Sequence, residues 1–141
     1  MNTRCIFCRI IAGEDAYRVY ENDTTLAFLD VSPSTDGHTM VIHKVHGATI
    51  LDYSPLHLQE LWTTVQKVIV ALELAYDTKS ISIGVNHGEL GGVPHLHIHL
   101  IPRVQNDGGK VIQSLVQSRE QEELITVQKK IKTRIDKPKN Q

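Results

Sequence analysis

The sequence predicts an α+β fold: an antiparallel sheet of about five strands covered by one long helix, with an additional C-terminal helix. Three observations carry this expectation. Short runs alternating apolar and polar residues recur up to Pro102. A single helical periodicity interrupts them at Leu58, Leu61, Trp62, Val65, Val68, Ile69 and Leu72. A second helical pattern lies near the C-terminus. With 141 residues the chain is expected to form one domain over 1–141, its core at about 4–104 and a C-terminal helix and basic tail at about 105–141.

Composition narrows the function classes. Fifteen Lys and Arg stand against 16 Asp and Glu, so the net charge of −1 supplies no field to draw nucleic acid or a membrane surface. No apolar run has the length of a bilayer span, and Met1-Asn2-Thr3-Arg4-Cys5-Ile6-Phe7-Cys8 lacks a signal-peptide core, so a cytoplasmic protein is expected. In that compartment, Cys5-x-x-Cys8 reads as metal-binding or redox rather than as a structural disulfide. Two thiolates at this spacing can supply half of a tetrahedral zinc site, and the alternative is a pair of unrelated buried thiols.

In chain order, Ile6–Ile11 predicts one or two helical turns ended by Gly13. Strands are predicted at 16–21 and 24–31, joined by the Asn22-Asp23 turn, and at 37–44. Ser54 as a cap and Pro55 at the first helical position open the long helix, which runs to about Tyr76 and covers one sheet face. His57, near its start, reads as solvated. Residues 79–86 alternate as a fourth strand. After Asn106-Asp107-Gly108-Gly109, a turn, a helix is expected from about Gln113 to Ile135. Leu115, Leu124, Val127, Ile131 and Ile135 would lie on or near its apolar face. From Gln128 onward six Lys and Arg accompany one Asp, a solvated helix end and tail.

The run Pro94-His95-Leu96-His97-Ile98-His99-Leu100-Ile101-Pro102 carries the chemistry. As a strand it sets His95, His97 and His99 on one face and Leu96, Ile98 and Leu100 on the other. Imidazoles fill a core poorly because each brings two ring nitrogens that need partners. The histidine face must therefore meet a metal, an anion or water. Ahead of it, Gly88, Gly91 and Gly92 form either a tight hairpin or a loop whose backbone N–H groups can approach a phosphate.

His95-Leu96-His97-Ile98-His99-Leu100-Ile101 fits the His-φ-His-φ-His-φ-φ signature (φ apolar) of the histidine triad (HIT) family of nucleotidyl hydrolases and transferases. Phe28 to Ile42 resembles the family's Phe-x-Asp-φ-x-Pro and Gly-His-x-φ-Val-Ile segments, and Lys44-Val45-His46 its Lys-x-His. The chain is most similar to the bacterial Hint-like branch with a CxxC zinc site. The resemblance implies that Phe7, Ile10, Phe28 and Val31 form an apolar slot for a purine base and that Asp30 accepts from ribose hydroxyls. It implies phosphate contacts from Asn86, Gly91, Gly92, His97 and His99. The middle histidine, His97, would be the nucleophile at the α-phosphorus, with His99 and His38 as its catalytic companions. Cys5, Cys8, His46 and His95 would hold a structural Zn2+, and two chains would form a homodimer.

The sequence departs from the family's usual pattern at two places. His43 stands where proline is usual, a change expected to touch strand-edge geometry more than chemistry. Gly91-Gly92-Val93-Pro94 replaces a longer segment with polar side chains. The function implied is hydrolysis or transfer at the α-phosphate of a purine nucleotide (a phosphoramidate, adenylate or dinucleoside polyphosphate) with release of nucleoside monophosphate. A second reading is a nucleotide-binding or adaptor protein in which the short loop has weakened or removed catalysis. A third, a metal carrier using His95, His97 and His99 as one site, leaves the CxxC pair and the Asp30 segment unexplained.

Overall fold

The computed structural model describes residues 4–116 and 122–135. They divide into two compact units, one ending at Gly109 and the other beginning at Lys110. The first contains α1 (Ile6–Ile11), β1 (Arg18–Glu21), β2 (Thr25–Leu29), β3 (Thr39–His43), α2 (Pro55–Tyr76), β4 (Ile81–Gly84) and β5 (His97–Pro102). The five strands form one sheet in the order β1-β2-β3-β5-β4, every neighbour antiparallel. No described helix is long and apolar enough to cross a membrane.

Strand alternation builds two apolar layers, one on each face of the sheet. Ala27, Val41, Ile98 and Leu100 point toward α2 and pack with Leu61, Val65, Val68 and Leu72. Each such side chain contributes about 1.5–3 kcal/mol on burial. Their strand neighbours Leu26, Phe28, Met40 and Ile42 point the other way and pack with Cys5, Phe7, Cys8 and Ile10 of the α1 segment. On β5 the same alternation sends His97 and His99 to the α1 face.

Helix α2 begins as expected: the Ser54 hydroxyl accepts from the His57 N–H at 3.3 Å and Pro55 takes the first position. It ends at Asp77, whose left-handed φ of 46° turns the chain toward β4. A polar pair crosses the α2 interface. The buried Thr64 hydroxyl meets the Thr25 hydroxyl at 2.7 Å, and Thr25 Oγ1 donates to Asn22 Oδ1 at 2.9 Å. Asn22 Oδ1 also accepts from the Thr24 and Thr25 N–H groups, so one carboxamide closes the β1–β2 turn.

Several expectations need correction. Each strand is shorter than its alternating run, because the hydrogen-bonded ladder stops before the pattern does. The triad strand begins only at His97; His95 lies in the bend before it. His43 does not sit at a sheet edge: β3 lies between β2 and β5, and His43 is buried on the α2 side. Its Nδ1 accepts from the Val45 N–H, which leaves Nε2–H to donate to Glu60 at 2.8 Å. His57 is half-buried rather than solvated, its ring 4.5 Å from that of His43. In the second unit the expected helix over 113–135 is shorter: a 3-10 turn at Ile112–Ser114 and then α3 (Leu124–Lys132). The middle of the expected helix (117–121) and the tail from Asp136 lie outside the described residues.

Candidate functional site

The apolar slot expected for a base assembles where the α1 face of the sheet is left partly uncovered. A cavity of about 510 Å³ is lined by Phe7, Ile10, Phe28 and Val31, the four residues expected there. Phe7 and Phe28 meet edge to face with centroids 5.3 Å apart. Val31 is 81% exposed, so it forms the mouth and not the floor. Residues that the sequence reading missed complete the lining: Ile6, Leu29, Met40, brought opposite Phe28 by the β2–β3 register, and the segment Asp15-Ala16-Tyr17 before β1. Met40 shares the alternation of Ile42 and was in principle legible. Asp15 precedes the alternating run that predicted a strand from Ala16, and nothing in that run marks Ala16 or Tyr17 as slot residues.

His97 does not line this cavity but adjoins it through Phe7, its ring 5.2 Å from that of Phe7. Its Nδ1 lies 2.7 Å from the His95 carbonyl oxygen. A carbonyl only accepts, so Nδ1 carries the proton and Nε2 keeps its lone pair. No described residue hydrogen-bonds that Nε2. Asn86 and Gly92 do not line the slot; a 3-10 turn, Gly88–Gly91, precedes the triad. Gly92 follows with φ of 72°, a conformation that suits glycine. Val93 packs on the same apolar cluster as Phe7.

His99 and His38 form a second, directional chain. The Ser34 N–H donates to His38 Nδ1 at 3.1 Å, which requires the proton of neutral His38 to sit on Nε2. That Nε2–H meets His99 Nδ1 at 2.8 Å, so neutral His99 carries its own proton on Nε2. Burial, chiefly, holds His99 down to about 4 and His38 below its usual value. Asp30 stands 3.7 Å from His38 Nε2, and its other oxygen accepts from the Ser32 N–H at 2.8 Å.

The ligand atoms of Cys5, Cys8, His46 and His95 converge within 4.8 Å. Cys5 Sγ and Cys8 Sγ lie 3.6 and 3.7 Å from His95 Nδ1, and Cys8 Sγ lies 3.3 Å from His46 Nδ1. Metal–ligand bonds of ordinary tetrahedral length put S and N about 3.6 Å apart. His95 Nε2–H donates to the His43 carbonyl at 2.8 Å, which leaves Nδ1 as the free ligand atom. Burial lowers His95 to about 4, so it is neutral at pH 7 as ligation requires. The loop carrying His46 is clamped by the Tyr53 hydroxyl, which donates to the Val45 carbonyl at 2.9 Å, and by the Leu96 N–H to the Gly47 carbonyl at 2.7 Å. These four residues could hold a metal ion.

Asp30, His38 and His99 also bring ligand atoms within 4.8 Å of one another. Their protons argue against a metal there. His38 Nε2 would have to be bare while Nδ1 was protonated, and Nδ1 already accepts from an amide.

Comparison with known proteins agrees with this geometry. Residues 13–106 match the HIT domain family. A HIT-family protein of Bacillus subtilis has a solved structure with a TM-score of 0.79 and 32% identity, covering 95% of this chain and 99% of that one. A zinc-bound histidine triad family protein of Mycobacterium smegmatis gives a TM-score of 0.67 at 30% identity over 82% of this chain and 84% of that one. In sequence, the adenylylsulfatase HINT3 of Arabidopsis thaliana is 35% identical over 106 residues, 73% of this chain and 54% of that protein. With the triad strand, the slot beside it and the matched segment all in place, the chain belongs to the histidine triad family.

Proposed function

We propose that the protein is a nucleotidyl hydrolase or transferase that acts at the α-phosphate of a purine nucleotide through a nucleotidyl-histidine intermediate. The observation that carries this reading is the His97 tautomer: a buried ring against Phe7 of the apolar slot, its proton held on Nδ1 by a carbonyl and its Nε2 lone pair uncommitted. The base lies against Phe7, Ile10 and Phe28 in the apolar slot, and Asp30 accepts from the ribose. Nε2 of His97 forms a bond to phosphorus as the leaving group departs with the bonding pair. The resulting imidazolium is stabilised by the Nδ1–H bond to the His95 carbonyl. His99 Nε2–H donates a hydrogen bond to the phosphate, and His38 holds His99 in that tautomer. Water then attacks phosphorus, the P–N bond breaks, and nucleoside monophosphate leaves. Support from relatives lies in the Arabidopsis protein, named as an adenylylsulfatase.

Cys5, Cys8, His46 and His95 hold zinc in this reading, favoured by a mixed S/N donor set and by the zinc-bound relative. Zinc supplies structural cross-linking: it ties the N-terminal segment and the His46 loop to the residue two before the nucleophile. A homodimer in the cytoplasm completes the reading. Exposed Trp62, Val70 and Leu74 on α2, and the open β4 edge with Ile83 and Val85, offer surface for a second copy. The domain is read as a core of about 4–104 with a C-terminal extension.

The second reading, nucleotide binding with weak catalysis, is favoured by the loop before the triad. Val93 packs into the apolar cluster and offers no polar side chain to phosphate. One assay separates the two: release of monophosphate from a fluorogenic purine nucleoside phosphoramidate. Turnover that falls by more than ~10³-fold in His97→Ala supports the enzyme. Tight nucleotide binding with no turnover in the native protein supports the binding protein.

A further inference from the structure

The base slot is apolar except at one rim. Its buried lining includes Phe7, whose ring adjoins His97 at 5.2 Å, and its exposed lining carries Asp15, the one charged residue there. The neighbouring acids are engaged: Glu14 with Arg9 and Glu21 with Arg18 and Lys44. Among the described residues no hydrogen bond or ion pair occupies the Asp15 carboxylate. Tyr17 beside it presents a phenol, which both donates and accepts and so does not discriminate between bases.

We infer that Asp15 is a specificity residue that selects guanine over adenine, an inference that rests on the nucleotide reading of the slot. With the phosphate at His97, the nucleoside enters ribose first, and the purine edge remote from the ribose faces the rim. On guanine that edge presents N1–H and N2–H₂ side by side, two donors that a carboxylate accepts in bidentate fashion. Adenine presents one N6–H₂ donor beside the N1 lone pair, so the second carboxylate oxygen meets a like partial charge. Hypoxanthine keeps N1–H and lacks the amine, and falls between them. The preference is moderate because Asp15 is exposed and water competes for its oxygens.

The test is calorimetric binding of GMP, IMP and AMP to the full chain, which reads selectivity whether or not the protein turns substrate over. GMP should bind tighter than AMP by roughly 5–20-fold, with IMP between. Asp15→Ala should bring the GMP:AMP ratio to within about two-fold, as should Asp15→Asn, whose amide can present either a donor or an acceptor. Equal affinity of the native protein for GMP and AMP overturns the inference and leaves the nucleotide reading intact. So does a guanine preference that survives both variants. If the native protein binds none of the three, the nucleotide reading itself fails and the inference falls with it.

Discussion

Two clusters in this molecule gather metal-ligating side chains into a space of similar size, and they differ in where their protons sit. In the cluster of Cys5, Cys8, His46 and His95, a backbone carbonyl takes the His95 Nε2–H and leaves Nδ1 facing two sulfurs. In the cluster of Asp30, His38 and His99, a backbone N–H takes the His38 lone pair and leaves a proton on the nitrogen facing its partners. One hydrogen bond outside each cluster thus decides whether its inner face offers lone pairs or a proton chain. Ligand counting alone would treat the two alike. The outer contact separates a site suited to a metal from a site suited to orienting an imidazole toward an anion.

The strongest way to break this comparison is to change a sulfur. Cys5→Ser should lower bound zinc from one per chain to a substoichiometric level and lower the melting temperature by on the order of 10 °C. Metal analysis with a thermal scan measures both. Zinc that stays stoichiometric after this change would place the metal elsewhere, and loss of a second equivalent on changing His38 would give the Asp30 cluster a metal as well.

A smaller effect is expected from the proton chain. His38→Ala should lower kcat by roughly 10²-fold, with a lesser change in KM and unchanged zinc content. His38→Gln keeps a side-chain N–H that can donate to His99 Nδ1 and should recover part of the loss. Equal damage from both variants would reduce His38 to a packing role.

The smallest effect concerns pH. Burial depresses His99 to about 4, against about 6.5 in the unfolded chain. Between those values the unfolded state binds the proton and the folded state does not, so stability is full above about pH 6.5 and declines as pH falls toward 4. Chemical denaturation of the native protein and of His99→Gln across this window should show the native slope steeper by up to one proton. Parallel slopes would mean that His99 titrates normally in the fold.

The residues differ in how far they could be read in advance. β2, β3 and β5 were legible because each buries both of its faces under different partners, and the residue types follow that alternation. Helix α2 was legible from its cap, its Pro55 and its apolar stripe. The four residues that could hold a metal are scattered from Cys5 to His95, and only the family resemblance joined them before the fold did. His43 was misplaced because strand pattern fixes a face but says nothing of strand order, and β3 turned out to be interior. The expected C-terminal helix overran because one periodic stripe was read as a single helix from about Gln113, whereas the described backbone there is a 3-10 turn at Ile112–Ser114 and α3 begins at Leu124.

What this sequence determined by itself is the set of local structures, the facing of each strand residue and the chemical inventory of the triad, since these follow from backbone periodicity and residue type. Tertiary structure decided the protonation pattern of the histidines, the burial of His43 beneath α2 and the presence of Asp15 at the slot rim. Each of those depends on a group far along the chain or in a loop without periodicity, and no local rule carries that information.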